Sequence, residues 1–350
     1  METKRLPIAG YEEVIAFQEE SCGLRGFLAI HETTLGPALG GTRLWRYDSE
    51  DKALADALKL SRAMTYKAAL AELPCGGGKT VLLDHDGLRR SEAFEAYGGL
   101  VESLGGRFFT GPDVGIIDDD LVAMGRGTRH VVHSTATGRD DINQYTALGV
   151  WHGMRACLEF AGITKARVAI QGVGHVGLNL GRILKQQGFS LAVADIDAGR
   201  ASRAAQELEA EIVAPGEILT LECDVLAPCA LGGVLIEETA RVLRARIVCG
   251  SANNILSSAA AGEELTRRGI LYGPDYLVNA GGLIRGLEFD RLGRADSTAT
   301  VEKIYERTRR VLELARERNT TTMSIADEQA EAFLKAARVR GGIDSRSTGA

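Results

Sequence analysis

Two lysines of the sequence stand in surroundings that a solvated lysine does not need. Lys67 lies in the helical run SRAMTYKAAL, and Lys79 follows three glycines in LPCGGGKTVLL. A lysine that is desolvated near a second cation has a lowered pKa and can act as a general base near neutral pH. We therefore predict that Lys79, on its Gly-rich turn, is a base, and that Lys67 stays charged and binds a carboxylate.

An aspartate adds a third candidate for this chemistry. Asp113 lies in FFTGPDVGII, after a β-rich run, and is flanked by Gly111, Pro112 and Gly115, which are typical of a turn. Its carboxylate could relay protons or hold an amino group. Each of the three charged side chains, taken alone, is equally well explained by an ion pair or a solvated turn. Their combination with a cofactor motif is what favours a catalytic site.

That cofactor motif is a glycine pattern between a strand and a helix. Gly172, Gly174 and Gly177 form GxGxxG in RVAIQGVGHVGLNLG, where backbone N–H groups can approach a pyrophosphate. Asp195 ends the next apolar run, where it can accept hydrogen bonds from ribose hydroxyls and repel a 2′-phosphate. Arg200 is the one nearby cation that could offset this repulsion, so NAD is favoured over NADP. The alternative is that the glycines only permit tight packing of helix on strand.

The elements that must position these residues alternate in two series. The first third of the chain alternates β-rich runs with helical patterns, among them a long helix from about Ser49 to Ala71. A second alternation after Asp141 has the rhythm of a doubly wound sheet. The predicted fold is α/β, with two domains flanking a cleft. They are an N-terminal α/β substrate and catalytic domain (1–138), a Rossmann NAD-binding domain (139–319) and a C-terminal helix returning to the first domain (320–350).

Composition excludes several other classes of function. The chain has 350 residues, 45% hydrophobic and 25% charged, with a net charge of −6, so it offers no broad attraction for nucleic acid or anionic lipid. The N-terminal METKRLPIAGYEEV lacks the apolar centre of a signal peptide, and we expect a cytoplasmic protein without membrane partners. The six cysteines form no CxxC pair, so we expect no metal site.

Eight segments carry a resemblance to a known family. They run from about residue 24 to 283 and read AIHETTLGPALGGTR, MTYKAA, GGGKTV, GPDVG, QGVGHVG, APCALGG, GSANN and GILYGPDYLVNAGG. Together they resemble the glutamate, leucine, phenylalanine and valine dehydrogenase superfamily, and within it the leucine/phenylalanine/valine branch. The resemblance implies reversible, NAD-dependent oxidative deamination of an apolar, branched-chain or aromatic L-amino acid to its 2-oxo acid and ammonia. It also implies a homo-oligomer, from dimer to octamer.

The resemblance also implies roles for individual residues. Lys67 would bind the substrate carboxylate with the backbone of Gly40 and Gly41, Lys79 would be the catalytic base, and Asp113 would assist proton transfer. The remaining expected substrate contacts are Leu39, Met64, Asn279 and Gly286. The expected cofactor contacts are Thr146, Gly172, Gly174, His175, Val176, Gly177, Asp195, Ile196, Cys229, Ala230, Ala252, Asn253 and Asn254.

Two positions bear on the choice of amino acid. Leu39 stands where glutamate-specific relatives carry a lysine, which favours an apolar side chain. Gly286 stands where relatives carry a branched residue, which favours phenylalanine, tryptophan or another bulky substrate over valine. Arg285, a second departure from the family pattern, is expected to face solvent, the alternative being contact with a substrate carboxylate.

Two other functions are compatible with the same fold. One is a step in a specialised biosynthetic pathway for phenylalanine or tryptophan derivatives, which the sequence cannot separate from catabolism. The other is a catalytically silent, NAD-binding regulatory protein. Intact Lys67, Lys79 and Asp113 argue against the silent protein.

Overall fold

The computed structural model describes residues 1–132 and 139–347, with side chains omitted for 139–141 and 340–347. The chain forms two units, Met1–His133 with Ala330–Ala350, and Ser134–Gln329. The domain boundary predicted near residue 138 lies outside the described residues. Within the described part, no helix is both long and apolar enough to cross a membrane.

The first unit is a mixed six-stranded sheet with order β1-β2-β3-β5-β4-β6. Neighbouring strands from β1 to β3 and on to β5 pair antiparallel, whereas β4 runs parallel to both β5 and β6. The strands are β1 (Glu2–Arg5), β2 (Glu13–Glu19), β3 (Leu24–Glu32), β4 (Ala38–Trp45), β5 (Gly76–Leu83) and β6 (Phe108–Pro112). The helices are α1 (Glu50–Leu70), α2 (Arg90–Ser103) and α3 (Asp118–Gly127).

Helix α1 confirms the long helix predicted from the sequence. Ser49 caps its first turn by accepting a hydrogen bond from the backbone N–H of Lys52, and Glu50 and Asp51 add negative charge where the helix dipole favours it. The helix ends at Leu70, two residues before Glu72 takes a left-handed backbone conformation with φ of 51°. Lys67 therefore lies in the last turn.

The glycines before Lys79 form part of strand β5, so the predicted Gly-rich turn is wrong. Glycine is needed at these positions because there is no room for a Cβ. A Cβ on Gly77 would lie 2.1 Å from the backbone nitrogen of Thr65 in α1, and one on Gly78 would lie 2.6 Å from the ring of Phe108. Glycine at these positions thus lets α1 lie directly on one face of the sheet and lets aromatic core fill the other.

We expect Gly77→Ala to destabilise the protein by about 1–3 kcal/mol, because the added methyl forces α1 away from β5. The shift of the urea unfolding midpoint measures this loss. Gly99→Ala is the matched control: Gly99 lies in α2, and no described atom outside the local helix backbone lies within 4 Å of the Cβ that alanine would add there. This control should stabilise the protein slightly, by about 0.5–1 kcal/mol, and equal effects of the two substitutions would contradict the packing argument.

The second unit contains a six-stranded parallel sheet with order β12-β11-β10-β7-β8-β9. Its strands are β7 (Arg167–Gln171), β8 (Ser190–Ala194), β9 (Glu211–Ile212), β10 (Cys223–Pro228), β11 (Ala245–Val248) and β12 (Leu271–Tyr272). Its helices are α4 (Arg139–Phe160), α5 (His175–Gln186), α6 (Ala198–Leu208), α7 (Glu237–Val242), α8 (Ala259–Arg267), α9 (Asp275–Val278), α10 (Gly281–Leu292), α11 (Thr298–Glu317) and the start of α12 (Thr322–Ser347).

The strand order of this second sheet confirms the predicted doubly wound fold. The chain builds outward from β7 to β9 on one side, then returns to β10 and builds outward to β12 on the other. Buried apolar residues line both faces of the sheet, as a sheet covered by helices on both sides requires. In such sheets, ligands bind beyond the carboxyl ends of the strands where the order reverses, which here is between β7 and β10.

Candidate active site

Three charged side chains meet on neighbouring strands of the first unit. Lys79 Nζ of β5 donates a hydrogen bond of 2.6 Å to Oδ2 of Asp113, which directly follows β6. Arg43 Nε of β4 donates to the same oxygen over 2.9 Å. The Arg43 guanidinium also donates to Asp56 of α1 over 2.8 Å. The structure therefore brings the two predicted catalytic residues together and adds a cation between two carboxylates.

The surroundings shift the pKa of Lys79 downward. The residue is 6% exposed, and burial, the largest influence, lowers its pKa below the ordinary value of 10.5. The Asp113 carboxylate opposes this shift, and the positive charge of Arg43 reinforces it. A lowered pKa raises the share of the neutral amine, the form that can accept a proton.

The pKa of Asp113 is also below its ordinary value. Burial alone would raise the pKa of this carboxyl, but the positive charges of Lys79 and Arg43 more than compensate. The carboxylate therefore stays ionised and keeps its hold on the Lys79 amine. The neutral-amine form of Lys79 and the ionised form of Asp113 are the states that proton transfer from a bound water would need.

Arg43 was missed by the sequence reasoning. It follows Gly41 by two residues, so the alternation of a strand places both on the same face, and this spacing was the available signal. The signal was weak because β4 itself was not recognised as a strand between β5 and β6. Only that neighbour relation brings the guanidinium to Asp113.

Gly40 and Gly41 let the three strands approach closely at the site. A Cβ on Gly40 would lie 1.7 Å from the carbonyl oxygen of Gly78, and one on Gly41 would lie 2.7 Å from the Pro112 carbonyl oxygen and 3.0 Å from Asp113 Cβ. Any side chain at Gly41 would push Asp113 away. The glycine pair thus contributes close backbone approach beside Lys79 and Asp113.

The other expected substrate residues of the first unit lie on β4 and α1. Leu39 is 7% exposed and pairs with Gly77 of β5. Met64 and Lys67 are half-buried and three residues apart on α1, so they share a helix face. Because α1 packs on Gly77, the helix that carries Lys67 lies directly against β5, the strand that carries Lys79.

In the second unit, the glycine motif forms a tight turn after β7. Gly172 has φ of 89°, and a Cβ there would lie 2.7 Å from Cβ of Ala230, while one on Gly177 would lie 2.0 Å from the Gly172 carbonyl oxygen. Gly174 caps α5 and faces open space, with His175 and Val176 in the first turn that follows. This backbone fits a pyrophosphate held by the N–H groups of a helix N-terminus.

Asp195 follows β8 beside this glycine turn. Its side chain is 4% exposed and accepts hydrogen bonds from the backbone N–H groups of Val173, over 3.0 Å, and Asp197, over 2.9 Å. Arg200 lies 3.5 Å from the carboxylate, whereas the side chain of Ile196 is exposed. The position of the charge is therefore fixed by the backbone, as a ribose-binding carboxylate requires.

Two loops at the carboxyl ends of β10 and β11 carry the next set of expected cofactor residues. The backbone N–H of Cys229 donates to the Gln171 carbonyl over 2.7 Å, and that of Ala252 donates to the Pro228 carbonyl over 3.0 Å. Ala230 follows Cys229 and packs on Gly172. The two loops are thus fastened to the sheet beside the glycine turn.

Asn279 is the most distinctive polar residue of the second unit. It is 6% exposed, and its Nδ2 donates to the Ser251 carbonyl over 3.1 Å and to Asn253 Oδ1 over 2.8 Å. Among the described residues, none donates a hydrogen bond to its buried Oδ1. A buried acceptor without a donor fits a bound amide or amine N–H group. Asn254, with φ of 53°, donates its backbone N–H to the Asp275 carboxylate and so fixes the loop.

The start of α10 packs against α4 at Thr146. Thr146 Oγ1 donates to the Ile142 carbonyl over 2.8 Å. A Cβ on Gly281 would lie 1.9 Å from the Tyr145 carbonyl oxygen, and one on Gly282 would lie 2.5 Å from Thr146 Oγ1. The VNAGG glycines therefore let the start of α10 lie against Thr146, two residues after Asn279, which directly follows α9.

The expectation that Arg285 faces solvent is wrong. Arg285 is 4% exposed and donates to the carbonyls of Arg294 and Ala295, each over 3.1 Å. Its guanidinium lies 4.7 Å from the Phe289 ring centre and 5.2 Å from that of Tyr145. The guanidinium donates hydrogen bonds to the carbonyls that follow the end of α10, and the two aromatic rings contact it in place of solvent. Gly286, beside it, is also buried.

Comparisons with known proteins all find amino acid dehydrogenases. Residues 12–134 match the family model of the Glu/Leu/Phe/Val dehydrogenase dimerisation domain, and residues 193–340 match that of glutamate/leucine/phenylalanine/valine dehydrogenase. Leucine dehydrogenase of Thermoactinomyces intermedius is 42% identical, with 92% of this chain and 90% of the relative covered. Valine dehydrogenase of Streptomyces albus is 39% identical, with 95% and 94% covered. The crystal structure of L-tryptophan dehydrogenase from Nostoc punctiforme superposes with a TM-score of 0.80 at 38% identity, covering 94% of this chain and 97% of that one.

Proposed function

The chain belongs to the glutamate, leucine, phenylalanine and valine dehydrogenase family and is an amino acid dehydrogenase, and from this premise we propose that it uses NAD to deaminate an apolar L-amino acid oxidatively. The products are the 2-oxo acid and ammonia, and the reaction is reversible. The observation that carries this proposal is the buried pair of Lys79 and Asp113, with nitrogen and oxygen 2.6 Å apart.

The protein's own residues supply the proton chemistry and the binding. Bound NAD would accept a hydride from the α-carbon of the substrate. Lys79, as the neutral amine, removes a proton from the water that forms a C–O bond to the resulting substrate iminium, and the ionised Asp113 holds the lysinium. The lysinium returns this proton to the amino group, the C–N bond breaks to release ammonia, and Lys79 takes the hydroxyl proton as the 2-oxo acid forms. Lys67 stays charged and binds the substrate carboxylate. This division follows from burial, because Lys79 is deeply buried and Lys67 only partly so.

The residues of the second unit fit the parts of NAD. The glycine turn with Gly172, Gly174 and Gly177 would hold the pyrophosphate, and Asp195 the adenosine ribose. The buried Oδ1 of Asn279, to which no described residue donates, would accept a hydrogen bond from a bound amide or amine, with Asn253 fixing the orientation of Asn279. The full set assigned to the cofactor is Thr146, Gly172, Gly174, His175, Val176, Gly177, Asp195, Ile196, Cys229, Ala230, Ala252, Asn253 and Asn254.

The substrate is an amino acid with an apolar side chain, and we favour a bulky one. Leucine, valine and tryptophan dehydrogenases are among the relatives of the chain. The buried apolar Leu39 supports the apolar class, since no cation stands there to hold a side-chain carboxylate. Gly286, buried on α10, lacks the side chain that a branched residue would have there, which in our proposal enlarges the substrate pocket. We therefore rank phenylalanine and tryptophan above valine as substrates.

We propose a cytoplasmic homo-oligomer as the setting of this reaction. None of the six cysteines, all within the described residues, forms a disulfide, which fits a reducing compartment. The match of the first unit to a domain described as a dimerisation domain supports association between copies of the chain.

The proposed function is tested by following NADH formation with the purified protein, NAD and each of the twenty L-amino acids. We expect turnover with one or a few apolar amino acids and none with glutamate, and loss of that turnover in Lys79→Ala. Higher turnover with valine than with phenylalanine and tryptophan would overturn the ranking by size. No turnover with any amino acid, although NAD binds, would overturn the proposed function.

We expect Asp195→Ser to raise KM for NAD by about tenfold, because the ribose loses hydrogen bonds to a charged acceptor. The same change should make NADP a measurable cofactor, since Arg200 is released toward a 2′-phosphate that no longer meets a carboxylate. Asp197→Ser is the matched control, because it removes a neighbouring charge and keeps a hydroxyl to cap α6. If NADP turnover rose equally in both variants, Asp195 would not be the discriminating charge.

A further inference from the structure

A group of four hydroxyls, which we term the hydroxyl cluster, lies buried under the catalytic strands of the first unit. It consists of Tyr97 from α2, Thr42 from β4, Thr80 from β5 and Thr110 from β6. All four residues have an exposed fraction of 0%. Apolar residues of the core, among them Phe94 and Phe108, surround the cluster. Each of the three strands that form the active site therefore contributes one hydroxyl.

The Tyr97 hydroxyl is the centre of the cluster. It accepts a hydrogen bond from Thr42 Oγ1 over 2.8 Å and donates its one proton to Thr80 Oγ1 over 2.8 Å, with Thr110 Oγ1 a longer, second acceptor 3.1 Å away. The hydroxyls of Thr42 and Thr110 are also 2.6 Å apart. A single phenol thus connects three adjacent strands by side-chain hydrogen bonds.

The threonines of the cluster alternate along the strands with the residues of the site. Thr80 follows Lys79, and Thr42 precedes Arg43. Successive side chains of a strand point to opposite faces, and the glycines show which face is which. A Cβ on Gly77 would meet α1, whereas one on Gly78 would meet Phe108 of the core. Lys79 and Arg43 therefore lie on the α1 face, and the hydroxyl cluster lies directly behind them.

Filling a core with hydroxyl groups costs desolvation free energy. Valine in place of each threonine and phenylalanine in place of Tyr97 would occupy almost the same volume without desolvating four polar groups. The hydroxyls add directional hydrogen bonds, which fix distances and angles that apolar contacts leave free. Here these hydrogen bonds fix the positions of β4, β5 and β6 relative to one another.

We propose that Tyr97 is a positioning residue for the dehydrogenase reaction: its hydroxyl holds β4, β5 and β6 at the offset that places Lys79 Nζ on Asp113 and Arg43. The inference rests on the proposed function of Lys79 as the base. Backbone pairing alone sets the register of the strands, but catalysis requires placement to about 0.5 Å. The hydroxyl cluster supplies the finer constraint at the point where the three strands carry the charges.

The test compares Tyr97→Phe with the unchanged protein over a range of pH. Lys79 is faced by Asp113, Arg43 and Asp56, so a loosened site changes both its hydration and its ion pairs. We expect kcat to fall about tenfold, as for a small misplacement of a reacting group, with KM for the amino acid changed less than about twofold. Added water should return the pKa of Lys79 toward its ordinary value, which moves the acid limb of kcat/KM to higher pH.

Phe94→Leu is the matched control, because Phe94 lies in the same helix and the same core and carries no hydroxyl. It should lower the unfolding midpoint and leave the pH profile unchanged. Thr80→Val should move the acid limb of kcat/KM in the same direction as Tyr97→Phe, but by less. Thr80→Ser keeps the hydroxyl and should leave the pH profile of the unchanged protein. The proposal is overturned if Tyr97→Phe leaves the acid limb in place, or if Phe94→Leu moves it equally.

A second measurement separates this inference from the proposed function. The rate at which acetic anhydride labels Lys79, followed by mass spectrometry as a function of pH, gives the pKa of the amine without any turnover. If the unchanged protein oxidises no amino acid, the proposed function fails alone. If the labelling profile of Lys79 is the same with and without the Tyr97 hydroxyl, the positioning role fails, whatever the activity.

Discussion

Lys79→Ala is expected to lower kcat/KM by about two to four orders of magnitude, the range over which a positioned general base contributes. The substitution removes the group that accepts the proton of the attacking water and leaves Asp113 paired with Arg43 over 2.9 Å. The carboxylate therefore keeps a buried counter-charge, and the fold should survive. Steady-state rates with the best amino acid of the panel measure the effect.

Two controls identify this loss as loss of a base. Lys59→Ala removes an exposed lysine of α1 and should leave the rate unchanged. Added methylamine should restore part of the activity of Lys79→Ala, since a small neutral amine can occupy the volume of the truncated side chain. Activity within tenfold of the unchanged protein, without added amine, would show that another group is the base.

Asp113→Asn is expected to lower kcat by about a hundredfold, because the ion pair that orients the amine of Lys79 is lost. The direction of the accompanying pH change follows from the charges around Lys79. Asp113 raises the pKa of Lys79, whereas burial and Arg43 lower it. Removing the carboxylate leaves the lowering influences dominant, so the acid limb of the kcat/KM profile should move to lower pH.

The opposite directions of the two pH shifts make this prediction sharp. Asp113→Asn moves the acid limb down, and Tyr97→Phe moves it up, although both variants are slower. Asp86→Asn serves as the control, because Asp86 is a highly exposed carboxylate paired with Arg46 and should affect neither rate nor profile. An upward shift in Asp113→Asn would mean that hydration of Lys79, rather than its charges, responds to the loss of the carboxylate.

The central strands of the second unit, β7, β8, β10 and β11, could be predicted from the sequence because each is a short apolar run beside a helical pattern, whereas the two-residue strands β9 and β12 carry no such signal. Local periodicity is sufficient there, since parallel strands joined by helices follow a regular order. The first unit could be predicted less well. Its strands β4, β5 and β6 become neighbours through long connections, and no local pattern states that β4 lies between the other two.

The same distinction explains the candidate site. Lys79 and Asp113 were found because each stands beside unusual glycines, a local signal. Arg43 and Tyr97 were missed because their roles depend on strand neighbours and on a helix behind the sheet. The residue type of Arg285 predicts a solvent-exposed side chain. The carbonyls of Arg294 and Ala295 that bind it become available only because α10 ends before them. Contacts made by tertiary structure were beyond the sequence reasoning.

The three glycines before Lys79 also restrict how this protein can evolve. Each lacks a Cβ for a different neighbour: the Glu32 carbonyl at 1.9 Å from a Cβ on Gly76, Thr65 at 2.1 Å from one on Gly77, and Phe108 at 2.6 Å from one on Gly78. Every codon change that alters a glycine adds at least that one carbon. A substitution at any of the three positions would bring a Cβ too close to backbone or core atoms, so we expect all three to remain glycine. In the proposed function, we therefore expect new substrate ranges to arise at positions such as Leu39 and Gly286, while the strand that carries Lys79 stays fixed.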